Sequence, residues 1–251
     1  MEKELFVSVI MPALNEEKNI ASAARNVLKA FDDFAVAGEI VVINDGSSDS
    51  TPVIVSAIAE ADGRVRILNH AGRKGIGASF WDGVDASAGN VVVMLPGDNE
   101  NDPWEIFRYL RLLEHVDMVI PFIYNKHKRS FFRNALSLVY RFIINTTFLV
   151  YFNYTNGTVL YRKSILKTLG RRSTGFFFQT DMLIRLARRG YLFAEVPYRL
   201  GMRSGGVSKA VSFPSFFEVV RGYFRLIKDQ YFVKTQPAEF TEDSQTFRRR
   251  P

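Results

Sequence analysis

The chain of 251 residues has no cysteine. Disulfides and thiolate metal sites are therefore excluded, any bound metal falls to oxygen ligands, and a reducing compartment suits the composition. No stretch reads as a clean membrane span, and no internal repeat is present. The N-terminal "MEKELFVSVIMP" is too short for a signal sequence and is broken by Pro12, so it reads as a first strand. Acids are the scarcer charge: Asp and Glu number 26 against 33 Lys and Arg, leaving a net +7. A basic balance admits an anionic partner but equally describes an ordinary soluble surface, so charge alone decides nothing. What the chain does have is apolar residues, 47% of the total, enough to bury the core of one large domain or two small ones.

Over the first hundred residues, short β-branched runs alternate with helical patterns: "LFVSVIMP", "EEKNIASAARNVLKAF", "GEIVVIND", "STPVIVSAIAEA", "VRILNH", "GIGASFWDGVDAS" and "NVVVMLPGD". Strand alternating with helix predicts right-handed crossovers and a mainly parallel sheet covered on both faces, with ligands bound beyond the C-terminal strand ends. Strand exits carry Asn15 and Glu16, then Asp45, Gly46 and Ser47, then Asp98 and Glu100. Singly, each is a turn or a helix cap; together on one sheet edge they make a cleft. In "VVVMLPGDNENDP", Asp98, Glu100 and Asp102 stand close together, which suggests a cation among them or a loop splayed into water.

After Pro103 the pattern reads as a helix through "WEIFRYLRLLEH", a strand "VDMVIPFI" and a basic run "NKHKRSFFR". Placed on a helix, "FFRNALSLVYRFIINTTFLVYF" puts Arg133, Asn134, Ser137, Arg141 and Asn145 on one stripe and leaves the rest apolar. Its length nearly spans a bilayer, but two arginines near its centre would cost about 2.5–3.5 kcal/mol each, so lying in the interface is cheaper. A core-facing helix pair is the competing reading. A second aromatic helix, "FPSFFEVVRGYFRLIKDQYF", follows, and the polar segment from Lys234 has no period and is expected to be disordered.

In order and spacing, "MPALNEEKNI", "VVINDGSSDST", "GRKGIGASFWDGV", "PGDNENDP", "NYTNGTVLYRKSIL", "FFFQTDMLIRLARRGYLFAEVPYRL" and "RSGGVSK" resemble family 2 glycosyltransferases of the GT-A fold. Within them, the sequence is similar to the branch of dolichol-phosphate mannose synthases and bacterial polyprenyl-phosphate glycosyltransferases, from about Val7 to about Lys209. The resemblance implies an α/β GT-A domain over residues 1–210, with a mainly parallel sheet flanked by helices and an amphipathic interfacial helix at 131–152. A C-terminal amphipathic helix at 211–233 and a disordered tail at 234–251 complete the expected organisation.

By motif, a nucleotide-diphosphate sugar would meet Pro12, Asn15, Glu16, Asp45 and Ser47 at its base and ribose, since an ionised acid accepts hydroxyl and base-edge hydrogens. Lys74 and Gly75 would lie near the diphosphate, and Arg203, Ser208 and Lys209 would close over it as a loop made flexible by Gly205 and Gly206. The acidic stretch matches the family's DxD motif, with Pro96 at the first aspartate, Asp98 at the second and Glu100 where glutamine often sits. Asp98 and Glu100 are the implied ligands of Mg²⁺ or Mn²⁺ and part of the catalytic set.

A polyprenyl phosphate acceptor would be held by Lys126, Arg129, Arg133, Ser137 and Asn156, with Lys126 or Arg129 standing in for an arginine the relatives carry at the place of Ile123 and Arg133 with Ser137 at their second basic position. Asn153 stands where an aspartate is usual. Asp181 is the candidate base for a hydroxyl acceptor, or a sugar-binding group for a phosphate acceptor. The implied activity is inverting transfer of one sugar to a polyprenyl phosphate at the membrane surface. The alternatives are a family 2 enzyme with a saccharide hydroxyl acceptor, or a non-catalytic nucleotide- or lipid-binding relative. The resemblance places the protein peripherally at the cytoplasmic face of the membrane, with no nucleic-acid partner, and leaves open a homo-oligomer or a membrane-anchoring partner.

Overall fold

Near-continuous apolar runs give the first two strands two buried faces. In β1 (Phe6–Ala13), Val7, Val9 and Met11 join one apolar cluster while Ile10 joins the other. In β2 (Ala37–Asn44), Ile40 and Val42 are opposed in the same way to Val41 and Ile43. A strand apolar on both faces belongs in a sheet covered by helices on both sides. The computed structural model describes residues 4–125, 131–199, 213–233 and 240–249, and no side chain of 131–133 or 213–216.

A seven-stranded sheet has the order β3-β2-β1-β4-β6-β5-β7. β1 pairs in parallel with β2 and with β4 (Val91–Met94), and β2 with β3 (Val65–Asn69). β5 (Met118–Ile123) and β7 (Phe193–Tyr198) are also parallel, while β6 (Leu160–Arg162) runs antiparallel between β4 and β5. One face is covered by α1 (Ile20–Asp33), α2 (Thr51–Ala61) and α4 (Pro103–Phe107), with Phe31 and Phe107 stacked at 5.2 Å. The other holds α3 (Ile76–Ala86), α5 (Phe131–Phe148), α6 (Lys163–Lys167) and α7 (Phe178–Arg188). α3 can lie this close because it carries glycine where it meets β1: a Cβ on Gly83 would sit 2.4 Å from Ile10 Cγ2.

Two helix expectations are corrected. The helix expected through 104–115 is broken: α4 stops at Phe107 and a 3-10 turn covers Leu110–Glu114. The helix expected over 131–152 ends at Phe148, where Leu149 takes a positive φ of 53° and Asn145 bonds both the amide and the carbonyl of Phe152. The C-terminal helix expected over 211–233 is present as α8 (Phe213–Ile227), continued by a π-helical turn through Lys228–Phe232.

The disordered tail is the largest correction, because residues 240–249 fold back onto the sheet. Ser244 caps α9 (Gln245–Arg248) by accepting from the Phe247 amide at 3.1 Å. Asp117, 0% exposed, accepts from the amides of Gln245 at 2.6 Å and Thr246 at 3.0 Å, and from the Thr246 hydroxyl. The segment has no apolar period because a buried carboxylate and a single ring, Phe240 packed 5.0 Å from Tyr191, hold it in place of a repeating apolar face.

Candidate functional site

Parallel register brings the ends of β1, β2, β3 and β4 to one edge. The loop after β1 is laced to the loop after β2: the Asn15 amide donates to Ser47 Oγ at 3.0 Å, the Ser48 amide to Asn15 Oδ1 at 2.9 Å, and the Glu16 amide to Thr51 Oγ1 at 2.8 Å. Asn15 adopts a φ of 57°, the left-handed turn that asparagine tolerates better than most residues. Pro12 is buried, its carbonyl accepting from the Gly97 amide at 3.0 Å. The structure thus gathers Pro12, Asn15, Glu16, Asp45 and Ser47 on the predicted edge.

Asp45 is buried where β2 ends, its own amide bonded to Ala13 O at 2.9 Å. Its Oδ1 accepts from the Lys74 amide at 2.7 Å and lies 2.9 Å from His70 Nδ1, while Oδ2 accepts from the Gly75 amide at 2.9 Å. Burial pushes the carboxyl up, but the Lys74 amide, the His70 ring and the Gly75 amide outweigh it and hold Asp45 below its ordinary value. Asp45 therefore also docks the 70–75 loop. Gly75, at φ 95°, makes the turn into α3. The Lys74 ammonium is half-exposed and lies 2.8 Å from Asp82 Oδ2.

The acidic stretch forms a tight rim beyond β4. Asp98 is half-buried and its Oδ1 accepts from the Glu100 amide at 3.1 Å; Asn99 between them has a φ of 58°. Glu100 is exposed. Asp102 starts α4, accepting from the Trp104 amide at 2.9 Å ahead of Pro103, so it is a helix cap. Among the described residues no three histidines or acids cluster as a metal cage.

Because β6 is antiparallel, the segment leading into it reaches the same edge as the exits of β4 and β5. There Gln179 Nε2 donates to Gly157 O at 3.1 Å, and Thr180 Oγ1 lies 3.3 Å from Asn156 Oδ1 and 2.9 Å from the Tyr140 hydroxyl. Burial pushes the Tyr140 phenol up to about 12, so it stays a neutral partner. Asn153 is held by Glu195 at 2.7 and 2.8 Å.

Asp181, expected at the cleft, is only 4% exposed and lies 2.9 Å from Arg185 one helical turn on; Arg185 reaches Asp229 at 2.6 Å. Burial raises the Asp181 carboxyl above its ordinary value even against Arg185. Ser137 is half-buried on the inner side of α5. Lys126, Arg129, Arg203, Ser208 and Lys209 lie outside the described residues, as does the Arg133 side chain.

Sequence reasoning missed His70, Tyr140 and Thr180. His70 directly follows the third strand, the one exit left out of the cleft, and that position was its signal. Tyr140 and Thr180 carried none, because aromatic and hydroxyl residues inside helices read as core.

A curated relative, the undecaprenyl-phosphate 4-deoxy-4-formamido-L-arabinose transferase of Salmonella choleraesuis (strain SC-B67), is 28% identical over 205 residues, 81% of this chain and 62% of its own. The counterpart in Salmonella newport (strain SL254) matches equally, so the chain spans under two thirds of the length of these relatives. Glucosyl-3-phosphoglycerate synthase from Mycobacterium tuberculosis shares the fold with a TM-score of 0.68 at 20% identity, over 98% of this chain and 93% of that one. The same enzyme with Mn²⁺, UDP-glucose and phosphoglyceric acid superposes with a TM-score of 0.67 at 19% identity, over 94% and 88%. The family model "Glycosyl transferase family 2" matches residues 8–170, and the chain belongs to that family.

Proposed function

We propose that the protein moves a single sugar from a nucleotide-diphosphate sugar onto a polyprenyl phosphate at a membrane surface. The observation that carries this reading is the orientation of α5. Its polar stripe is turned inward, with Arg141 on Asn153 O at 3.2 Å and Asn145 on Phe152. Leu136, Leu138, Val139, Phe142 and Ile143 face out, between 43% and 68% exposed. α8 packs beside it through Tyr223, whose hydroxyl is 2.7 Å from Thr147 Oγ1, and exposes Phe217 and Phe224. An amphipathic helix with its polar side against protein and its apolar side outward suits an interface with lipid. Tyr140 ties this helix through Thr180 to Asn156, so the apolar face adjoins the acceptor side of the edge. No described helix is long and apolar enough to cross a membrane. The names of the Salmonella relatives, which specify undecaprenyl phosphate, support the same acceptor class.

The donor lies across the ends of β1, β2 and β4, with Asp45, Asn15 and Ser47 toward the nucleoside and Lys74 toward the diphosphate. The residues present fit Mg²⁺ or Mn²⁺: Asp98 at the rim, with Glu100 beside it, offers a small carboxylate set of the kind that binds such ions together with substrate phosphates. When bound, the ion neutralises charge on the departing diphosphate. The M. tuberculosis enzyme of the same fold was crystallised with Mn²⁺ and UDP-glucose and with Mg²⁺ and UDP, which is in keeping with a divalent ion in this reading.

A lipid phosphate arrives already ionised, so no strong general base is required. Its oxygen forms a bond to the anomeric carbon as the bond to the diphosphate breaks, the nucleoside diphosphate leaves with the electron pair, and configuration inverts. The chain's task is to hold two anions in line and offset their repulsion. The buried Asp181–Arg185 pair favours a phosphate acceptor over one that needs Asp181 as base. The protein is then peripheral, at the cytoplasmic face of the membrane.

The test incubates protein with Mg²⁺ or Mn²⁺, a panel of UDP, GDP and TDP sugars, and a short polyprenyl phosphate, following glycolipid and released nucleotide. Product with the lipid phosphate is expected, and Asp98→Ala should lower kcat by about 10²-fold or more. Product only with hydroxyl acceptors, or none with any combination, overturns the reading.

A further inference from the structure

His70 is a buried group that the proposed chemistry leaves unused. Its amide donates to Asn44 O at 2.9 Å, placing the ring where β3 ends, and the side chain is 1% exposed. Nδ1 lies 2.9 Å from Asp45 Oδ1, on β2's exit, and Nε2 lies 2.9 Å from Asp82 Oδ2, on α3. Asp82 in turn lies 2.8 Å from the Lys74 ammonium. Nε2 is close to Asp82 but out of line for a hydrogen bond, so the well-aligned bond of the ring is the one to Asp45. An ionised carboxylate only accepts, which makes Nδ1–H the donor.

This bond decides what Asp45 has left to offer. A carboxylate presents about four acceptor sites. Oδ1 takes two donors, the Lys74 amide and the His70 ring, while Oδ2 takes one, the Gly75 amide. The fourth site is on Oδ2. The two backbone amides already dock the loop on Asp45; the ring adds the contact that makes the two oxygens inequivalent.

We propose that His70 is a positioning residue of the donor site: it holds Asp45 so that one acceptor site on Oδ2 faces the nucleotide. The proposal rests on the reading that the donor nucleotide meets Asp45.

The amide nitrogen of asparagine occupies the place of imidazole Nδ1, and that of glutamine the place of Nε2. His70→Asn should therefore keep KM for the nucleotide sugar within about threefold, while His70→Gln, lacking the bond to a charged acceptor, should raise it about tenfold or more. At saturating donor, kcat should change little in either, and thermal denaturation shows whether each variant is folded.

Wild-type protein supplies a readout that needs no variant. With only three histidines in the chain, ¹⁵N-histidine labelling resolves the carboxylate-bonded ring N–H, whose resonance should shift when UDP, GDP or TDP is added with Mg²⁺. Equal effects of Asn and Gln, or a resonance that ignores a nucleotide shown by calorimetry to bind, overturn the role of His70 and leave the donor reading standing. Failure of every nucleotide to bind the wild-type protein overturns the donor reading, and this proposal with it.

Discussion

At the residue scale, two aspartates with the same chemistry are given opposite work by their surroundings. Asp45 accepts from amides and a ring and is held low; Asp181 is burdened by burial, raised, and answered by Arg185. A buried carboxylate already paired with an arginine is costly to free for proton transfer. Asp181→Asn should therefore lower stability, with kcat per folded molecule falling less than about tenfold, as read by activity alongside urea denaturation. A loss near the 10²–10⁴-fold of general base catalysis with the fold intact would restore Asp181 as the base. Asp181 stands in the first turn of α7, and the partners that answer each other beside it, Arg185 and Asp229, are brought together only by packing of α7 against the C-terminal helix.

Elements decide matters that their own periodicity hides. α5 reads as amphipathic from its spacing, yet which side faces the protein depends on groups outside the helix: Phe152 and Asn153 just past its end, and Thr180 on α7. The segment 240–249 has no period, and its order comes from Asp117 at the start of β5. Thr246 both donates to Asp117 and accepts from the Leu192 amide at 2.8 Å. Thr246→Val keeps the shape but leaves the Leu192 amide unbonded and takes one donor from Asp117, so it should cost about 1–3 kcal/mol of unfolding free energy, read as a lower urea midpoint. A midpoint equal to wild type would mean that the tail does not hold this carboxylate in solution.

Over the whole molecule, acid and apolar surface set the conditions under which the fold works. Glu39, Asp45, Asp49 and Asp82 are held below their ordinary values of 4.5 for glutamate and 3.8 for aspartate. A lowered carboxyl contributes stability above its unfolded value and loses it as pH falls through its folded one. Asp181 runs the other way: its raised value in the fold favours folding as pH falls toward its unfolded value. The lowered group is the larger, so thermal stability should hold from neutral pH to about 5 and then fall through pH 4 and below. A Tm unchanged down to pH 3 would contradict this.

The outward side of α5 and α8 is the other global feature. Phe142 is 68% exposed, so Phe142→Ser should leave Tm nearly unchanged. Burying one phenylalanine is worth about 1.5–3 kcal/mol, so the same variant should bind anionic vesicles roughly tenfold or more weakly. Equal sedimentation of both proteins with vesicles would remove the lipid from the proposal.

The alternation of strand and helix over the first hundred residues, the sheet covered on both faces, the polar strand exits and the family were all legible in the chain itself. Each rests on local spacing or on motifs whose residues lie close in sequence. Only the tertiary structure decided which side of α5 points outward, that β6 runs backward to bring Asn156 to the edge, that residues 240–249 are ordered, and that His70 meets Asp45. These are contacts between residues far apart in the chain, and a buried polar group takes whichever partner folding delivers, which periodicity does not encode.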